Sequence, residues 1–217
     1  MTTSYTIFAK AVSFFLFPLF MPLYSILLLF NMNMFSFYST AYIVHCCSIV
    51  IGTCILVPML LFFIAEKTKA ISDMKMRERG DRPVPLLLTG VCHLACATLL
   101  YSLRMPTFTV NIAVAIGFTT IITAFVSHWW KISVHMTGIG GLLSGCFIVG
   151  LATGVNLSPT ICIALLFAGM LASARLILER HTPLQLVAGF LNGAFFVLTL
   201  SSINWSPMLR SISSFLL

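Results

Sequence analysis

The stretch Lys75-Met-Arg-Glu-Arg-Gly-Asp-Arg82-Pro83 is the only dense run of charge in the chain, and it separates two long apolar runs, 41–65 and 84–103. Charged residues make up 8% of the sequence and hydrophobic residues 59%, whereas soluble domains are about 25% charged. Both flanking runs are long enough to cross a bilayer, which takes about 20 apolar residues. The stretch therefore predicts a polar connection between two membrane-spanning helices.

The same length criterion applied outward from this connection gives seven candidate spans: 11–30, 41–65, 84–103, 107–127, 138–156, 159–179 and 185–204. The mean hydropathy of the whole chain is +1.06. We therefore predict an all-α fold, a polytopic membrane bundle of about six or seven helices that forms one domain over residues 1–217. The first run is too long for a signal-peptide core, so it is interpreted as an uncleaved helix, kinked at Pro18 and Pro22.

Composition and residue spacing argue against nucleic-acid binding and against a metal site. The net charge of +7 invites a nucleic-acid interpretation, but the cations lie at predicted helix ends and do not alternate with aromatic residues on one face. No nucleic-acid partner is expected. The seven cysteines all lie in apolar runs without zinc-ligand spacing, so no metal site is expected.

The charged residues cluster at helix ends that would face the same side of the membrane. If the runs are seven spans, the ends of the second, fourth and sixth runs face the same side as the N-terminus. All five acidic residues and all but two of the twelve cations then lie on that side, the exceptions being Arg104 and Arg210. This charged face is either a solvated loop region or a site for an anionic ligand.

Three clusters on that face carry candidate functional residues. The first holds Lys75 and Arg82. The second, at a helix N-terminus that favours anions, holds Ser133, Val134 and His135. The third, around a helix end and the loop after it, holds Arg175, His181 and Gln185.

These groups match the needs of phosphoryl transfer. The charge of the transferred group spreads over three oxygens, so catalysis is mostly positioning and electrostatic stabilisation. Arginine binds phosphate oxygens in a bidentate manner, one histidine can attack phosphorus, and another can protonate the leaving oxygen. Glycines from Gly138 to Gly154 let helices approach closely and predict that the second and third clusters lie together.

The three clusters resemble, in order, the motifs of the type 2 phosphatidic acid phosphatase (PAP2) superfamily. Its pattern is Lys, six residues, Arg-Pro; then Pro-Ser-Gly-His; then Ser-Arg, five residues, His, three residues, Asp. Lys75 and Arg82-Pro83 match the first motif fully. Ser133 and His135 match the second. Arg175 and His181 match the third, and the resemblance covers about residues 60 to 200, with the N-terminal helix 11–30 peripheral to this core.

The resemblance implies a residue-by-residue assignment. His181 is the nucleophile that becomes phosphohistidine, and His135 is the general acid and then the base. The phosphoryl oxygens are held by Lys75, Arg82, Ser133, Arg175 and the backbone N–H of Val134. The family's mechanism needs no metal or other cofactor.

Four positions depart from the family pattern. Ile132, Val134 and Ala174 replace Pro, Gly and Ser, and Gln185 replaces the Asp that orients the nucleophile. Glutamine accepts a hydrogen bond but carries no negative charge. We therefore expect slower chemistry or a compensating carboxylate, for which Glu179 and Asp81 are the candidates.

The expected substrates are lipid phosphate monoesters or pyrophosphates, such as undecaprenyl diphosphate, phosphatidic acid, phosphatidylglycerol phosphate or a lipid A phosphate. Two alternatives stay open: a non-catalytic PAP2-like protein that binds lipid or anions, and an anion or lipid transporter. Counting positive charges places the charged face in the cytoplasm, in a bacterial inner membrane, although many bacterial relatives act from the periplasmic face. Lys67, Lys69, Arg77, Arg79, Lys131 and Arg180 are expected to face solvent or headgroups.

Overall fold

The computed structural model describes residues 3–32, 35–73, 76 and 78–216, and the described residues form helices without a strand. The first half of the chain contains α1 (Thr3–Phe15), α2 (Met21–Phe30), α3 (Thr40–Ile51) and α4 (Val57–Lys67). The second half contains α5 (Pro83–Ser102), α6 (Thr107–Trp129), α7 (Val134–Thr153), α8 (Ser158–Ile177), α9 (Pro183–Ser201) and α10 (Ser206–Leu216).

Among the described residues, seven segments are long and apolar enough to cross a membrane, which confirms the predicted all-α polytopic bundle. The first two spans are composite. A short 3₁₀ turn at Pro18–Phe20 joins α1 to α2, and a π-helical segment at Gly52–Leu56 joins α3 to α4. Pro18 lacks an N–H, so the α-helical ladder breaks where the sequence predicted a kink.

Local sequence determines where the spans begin and end. Pro83 lies in the first turn of α5, where its missing N–H costs nothing. Ser133 caps α7 by accepting a hydrogen bond from the N–H of Met136, and Gly154 ends it in the left-handed conformation with φ of 71°. The apolar run predicted from residue 138 therefore begins one turn inside α7, and the helix N-terminus lies at the second cluster, as predicted.

Three apolar clusters form the core of the described part of the chain. One joins α2, α3, α5, α6 and α7 to α9 and α10, and a second joins α1, α2, α7, α8 and α9. The third, smaller cluster joins the turn at Pro18–Phe20, the π-helical segment and α4. Small residues set the spacing of α7 and α9: a Cβ on Gly140 would lie 2.3 Å from the carbonyl oxygen of Phe190, closer than any real contact. The N-terminal end of α7 is thereby held beside the N-terminal end of α9, and both carry predicted site residues.

Candidate functional site

Arg82 joins two of the predicted clusters. Its guanidinium donates one hydrogen bond of 2.8 Å to the carbonyl of Ile132 and another of 3.2 Å to the carbonyl of Met76. The side chain is buried, with 7% of its surface exposed, and burial lowers the pKa of Arg82 to about 10. Because guanidinium has five N–H donors, it can hold these two carbonyls and still donate to an anion.

Ser133 joins the second cluster to the third. Its N–H donates to the carbonyl of Gln185 at 3.2 Å, and its hydroxyl oxygen accepts from Met136 N at 3.4 Å. Ser133 is completely buried, so in this structure its side chain acts first as the cap of α7. A Cβ on Gly189 would lie 2.5 Å from the carbonyl oxygen of Ser133, so only glycine permits this approach.

His181 is oriented by the first turn of α9. Gln185 Oε1 lies 3.3 Å from His181 Nδ1 and accepts from the N–H of Thr182 at 3.1 Å, while Thr182 Oγ1 accepts from Gln185 N at 3.4 Å. This reciprocal capping box fixes the amide so that its oxygen faces the ring. A hydrogen on Nδ1 matches this acceptor, and the neutral ring then has its lone pair on Nε2.

The surroundings of His181 keep the ring neutral at physiological pH. Burial, together with the positive charges of Arg82 and Arg175, lowers the pKa of His181 to about 4. The acceptor oxygens of Gln185 and the Lys131 backbone oppose this shift only in part. A neutral imidazole with a free lone pair is the form that acts as a nucleophile.

His135 contacts the N-terminal helix. Its Nε2 lies 3.3 Å from the carbonyl oxygen of Ser13, which can only accept, so Nε2 carries a hydrogen. The ring of Phe17 packs edge-on against the imidazole, with ring centroids 5.5 Å apart. Sequence reasoning treated segment 11–30 as peripheral and missed both contacts, because nothing in an apolar run shows which turn will meet a distant histidine.

Arg175 is a half-buried cation near the other charged groups of the site. Its Nε is buried and has no hydrogen-bond partner in the described part of the chain. Arg82, Arg180 and His135 lie within its electrostatic range. An unpaired polar group of this kind is costly unless a ligand satisfies it.

Lys131, which was expected to face solvent or headgroups, lies close enough to Arg82 to feel its charge. It is half-buried, and burial and the charge of Arg82 are the main causes that lower the pKa of Lys131. Glu78 is the acid that acts on it in the opposite direction. Sequence could not separate Lys131 from an ordinary interfacial lysine, because it follows Trp129 and Trp130.

The structure brings six of the seven predicted side chains together at one end of the bundle: Arg82, Ser133, His135, Arg175, His181 and Gln185. Val134 is the first residue of α7, so its own helix offers no acceptor for its N–H. Lys75 lies outside the described residues.

Neither candidate carboxylate contacts the nucleophile position. Asp81 accepts hydrogen bonds from the N–H of Ser72 at 2.9 Å and from the Ser72 hydroxyl, and these bonds lower the pKa of Asp81. Glu179 is exposed and has a positive φ of 52° in the turn after α8. Within the described residues, no carboxylate forms an ion pair with His181, and no group of three or more His, Cys, Asp or Glu residues could hold a metal ion.

No protein-family model, curated protein or solved structure matches this chain. The membrane bundle and the convergence of these side chains define a multi-pass membrane protein with a positively charged, partly buried site at one end.

Proposed function

We propose that this chain is a membrane lipid phosphatase that hydrolyses a lipid phosphate monoester or pyrophosphate through a phosphohistidine on His181. The observation that carries the proposal is the buried Nε of Arg175, which has no hydrogen-bond partner among the described residues, near the buried Arg82 and the neutral His181. A bound phosphate would neutralise these cations and supply the missing acceptor. The phosphate would then lie within reach of His181, the proposed nucleophile.

The chemistry follows from the two histidines. His181 Nε2 attacks phosphorus, forming an N–P bond as the bond from phosphorus to the leaving oxygen breaks. His135 gives that oxygen a proton and then takes one from a water molecule, which attacks the phosphohistidine and releases inorganic phosphate. Arg82, Arg175 and Lys131 stabilise the charge on the phosphoryl oxygens.

The arrangement also supports a lipid as the substrate. The cationic cluster lies where spanning helices end, so a headgroup can enter it while acyl or isoprenoid chains remain beside the helices. The order of the three motifs adds the resemblance to the PAP2 superfamily. Phosphatidic acid, phosphatidylglycerol phosphate, undecaprenyl diphosphate and a lipid A phosphate form the substrate panel.

We place the site at the cytoplasmic face of a bacterial inner membrane, because the cations outside the proposed site still lie mostly on the charged face, and positive charge favours the cytoplasm. Gly80→Cys tests this orientation, because Gly80 is exposed near the site and a Cβ there meets no atom within 4 Å. Asn204→Cys, exposed after α9, is the matched probe of the opposite end. A membrane-impermeant maleimide applied to intact cells should label residue 204 alone; labelling of residue 80 alone places the site outside.

Gln185 supports a second candidate, a non-catalytic lipid- or anion-binding protein. Its amide orients His181 but supplies no negative charge to stabilise the imidazolium formed during attack. Such a protein would bind phosphate with the same cations and fail to turn it over.

The deciding experiment measures phosphate release by purified protein from the lipid panel. His181→Ala should abolish release, whereas His128→Ala, which changes an exposed histidine at the same end of the bundle, should retain it. Vanadate, which resembles the trigonal-bipyramidal transition state, should inhibit. Binding of phosphate without release from any lipid refutes the enzyme and supports the binding protein.

A further inference from the structure

An apolar cavity of about 280 Å³ lies inside the bundle, on the side away from the cationic site. Its lining in α5 runs from His93 to Leu100, and in α7 from Leu142 to Val149. Apart from Leu142, which lies near the middle of α7, these residues occupy the halves of the two helices that lie farther from Arg82 and Ser133. The cavity is therefore separate from the proposed phosphatase site.

Two polar side chains that line this cavity have an atom without a partner in the described part of the chain. His93 is buried, with 6% of its surface exposed, and its Nε2 has no hydrogen-bond partner among the residues that the structure describes. Thr109, which also lines the cavity, has an unpartnered hydroxyl oxygen. Buried polar atoms are usually satisfied, so these two atoms point to a missing ligand.

The hydrogen bonds around His93 define what that ligand must offer. The hydroxyl of Thr120 donates to the carbonyl of Ile116 at 2.8 Å, so its oxygen accepts from His93 Nδ1 at 3.4 Å. A neutral imidazole protonated on Nδ1 carries a lone pair on Nε2. His93 lines the cavity and its buried Nε2 has no partner among the described residues, so this nitrogen needs a donor that a ligand in the cavity can supply.

We infer that this cavity binds a single-chain lipid alcohol whose hydroxyl donates to His93 Nε2. One water molecule takes about 30 Å³ of liquid volume and a methylene is of similar size, so the cavity holds a chain of about ten carbons. The lining is otherwise formed mainly by aliphatic and sulfur-containing side chains, including Ile112, Leu142 and Cys146. This inference stands apart from the proposed phosphatase activity, and its test does not use phosphate release.

The test is competition for a photoreactive, diazirine-bearing decanol on the full chain in lipid nanodiscs. Unlabelled decanol should displace the probe at about a tenfold lower concentration than decyl methyl ether, which has the same chain and no hydroxyl hydrogen. Crosslinked peptides should come from α5, α6 and α7. Equal competition by the alcohol and the ether on the unmodified chain overturns the inference without any variant.

Two substitutions locate the effect. His93→Phe should remove the preference for the alcohol, while His45→Phe, at an exposed histidine on α3, should keep it. Gly145→Leu should abolish labelling, because Gly145 lines the cavity and its added Cβ makes ordinary contact with Ile112 at 3.7 Å, which leaves the rest of the side chain to fill the space. A preference that persists in His93→Phe, or full labelling in Gly145→Leu, contradicts the assignment.

Discussion

Replacing Gln185 with glutamate tests how the nucleophile is tuned. Glu and Gln have the same length, so the carboxylate should remain near 3.3 Å from His181 Nδ1 and keep its bond to the N–H of Thr182. A negative charge in the first turn of α9 also suits the helix dipole, by about 0.3 to 1 kcal/mol. The variant therefore adds a charge without removing the capping box.

The expected size of the effect follows from the distance. An opposite charge so close raises a pKa by about 1 to 3, so the pKa of His181 should move from about 4 towards its ordinary value of 6.5. The same interaction stabilises the imidazolium that forms during attack. One pKa unit is about 1.4 kcal/mol, so turnover should rise about tenfold or more.

The assay is phosphate release from the preferred lipid as a function of pH. Leu184→Glu is the matched control, because it adds the same charge at the neighbouring exposed position. Gln185→Asp, which restores the family residue with a shorter side chain, should also increase turnover. If Gln185→Glu is no faster than the unmodified chain or than Leu184→Glu, the charge at position 185 does not limit catalysis.

Three further predictions concern stability and anion binding. The pKa of His181 is lower in the folded than in the unfolded state, so the free energy of unfolding in detergent should fall as the pH drops from 6.5 to 4, by at most about 3 kcal/mol. In thermal unfolding measured against pH, His181→Gln should remove this pH-dependent loss. Arg175→Leu should weaken phosphate binding about tenfold or more in calorimetry, and the melting temperature without phosphate should stay equal or rise. Arg79→Leu, at an exposed position, is the control and should change neither quantity. A large loss of stability without phosphate contradicts the argument that Arg175 is an unpaired cation. Gly189→Ala should destabilise the protein by about 1 to 3 kcal/mol and reduce phosphate release, because the added Cβ would clash with the Ser133 carbonyl. Gly169→Ala, where a Cβ meets no atom within 4 Å, should be tolerated. Equal melting temperatures of the two variants contradict the tight contact between α7 and α9.

The number of spans was predictable because lipid requires long apolar helices, and the composition of this chain leaves few alternatives. Helix ends were less predictable. The polar first turn of α7 is helical because Ser133 caps it, and hydropathy does not register a cap. The sequence also indicated that polar clusters share one membrane face, since parity follows from the span count.

Contacts between distant segments could not be predicted from the sequence. His135 contacts the backbone carbonyl of Ser13, and because every residue has such a carbonyl, the sequence does not show which one it will meet. The burial of Lys131 depends on how α6 ends beside Arg82 and is not encoded in its neighbours. The missing carboxylate beside His181 was visible as Gln185, but only the structure shows that Asp81 is instead bound to Ser72.

The hydrogen bond from Ser133 to Gln185 has a consequence for biosynthesis. Spans are made and inserted in order from the N-terminus, and α9 is the seventh. Until it enters, the N–H of Ser133 lacks the Gln185 carbonyl, and α7 has no Gly189 against which to pack. The contacts among Ser133, Gln185 and His181 are therefore complete only when α9 is in place, and a nascent chain that ends before α9 lacks them.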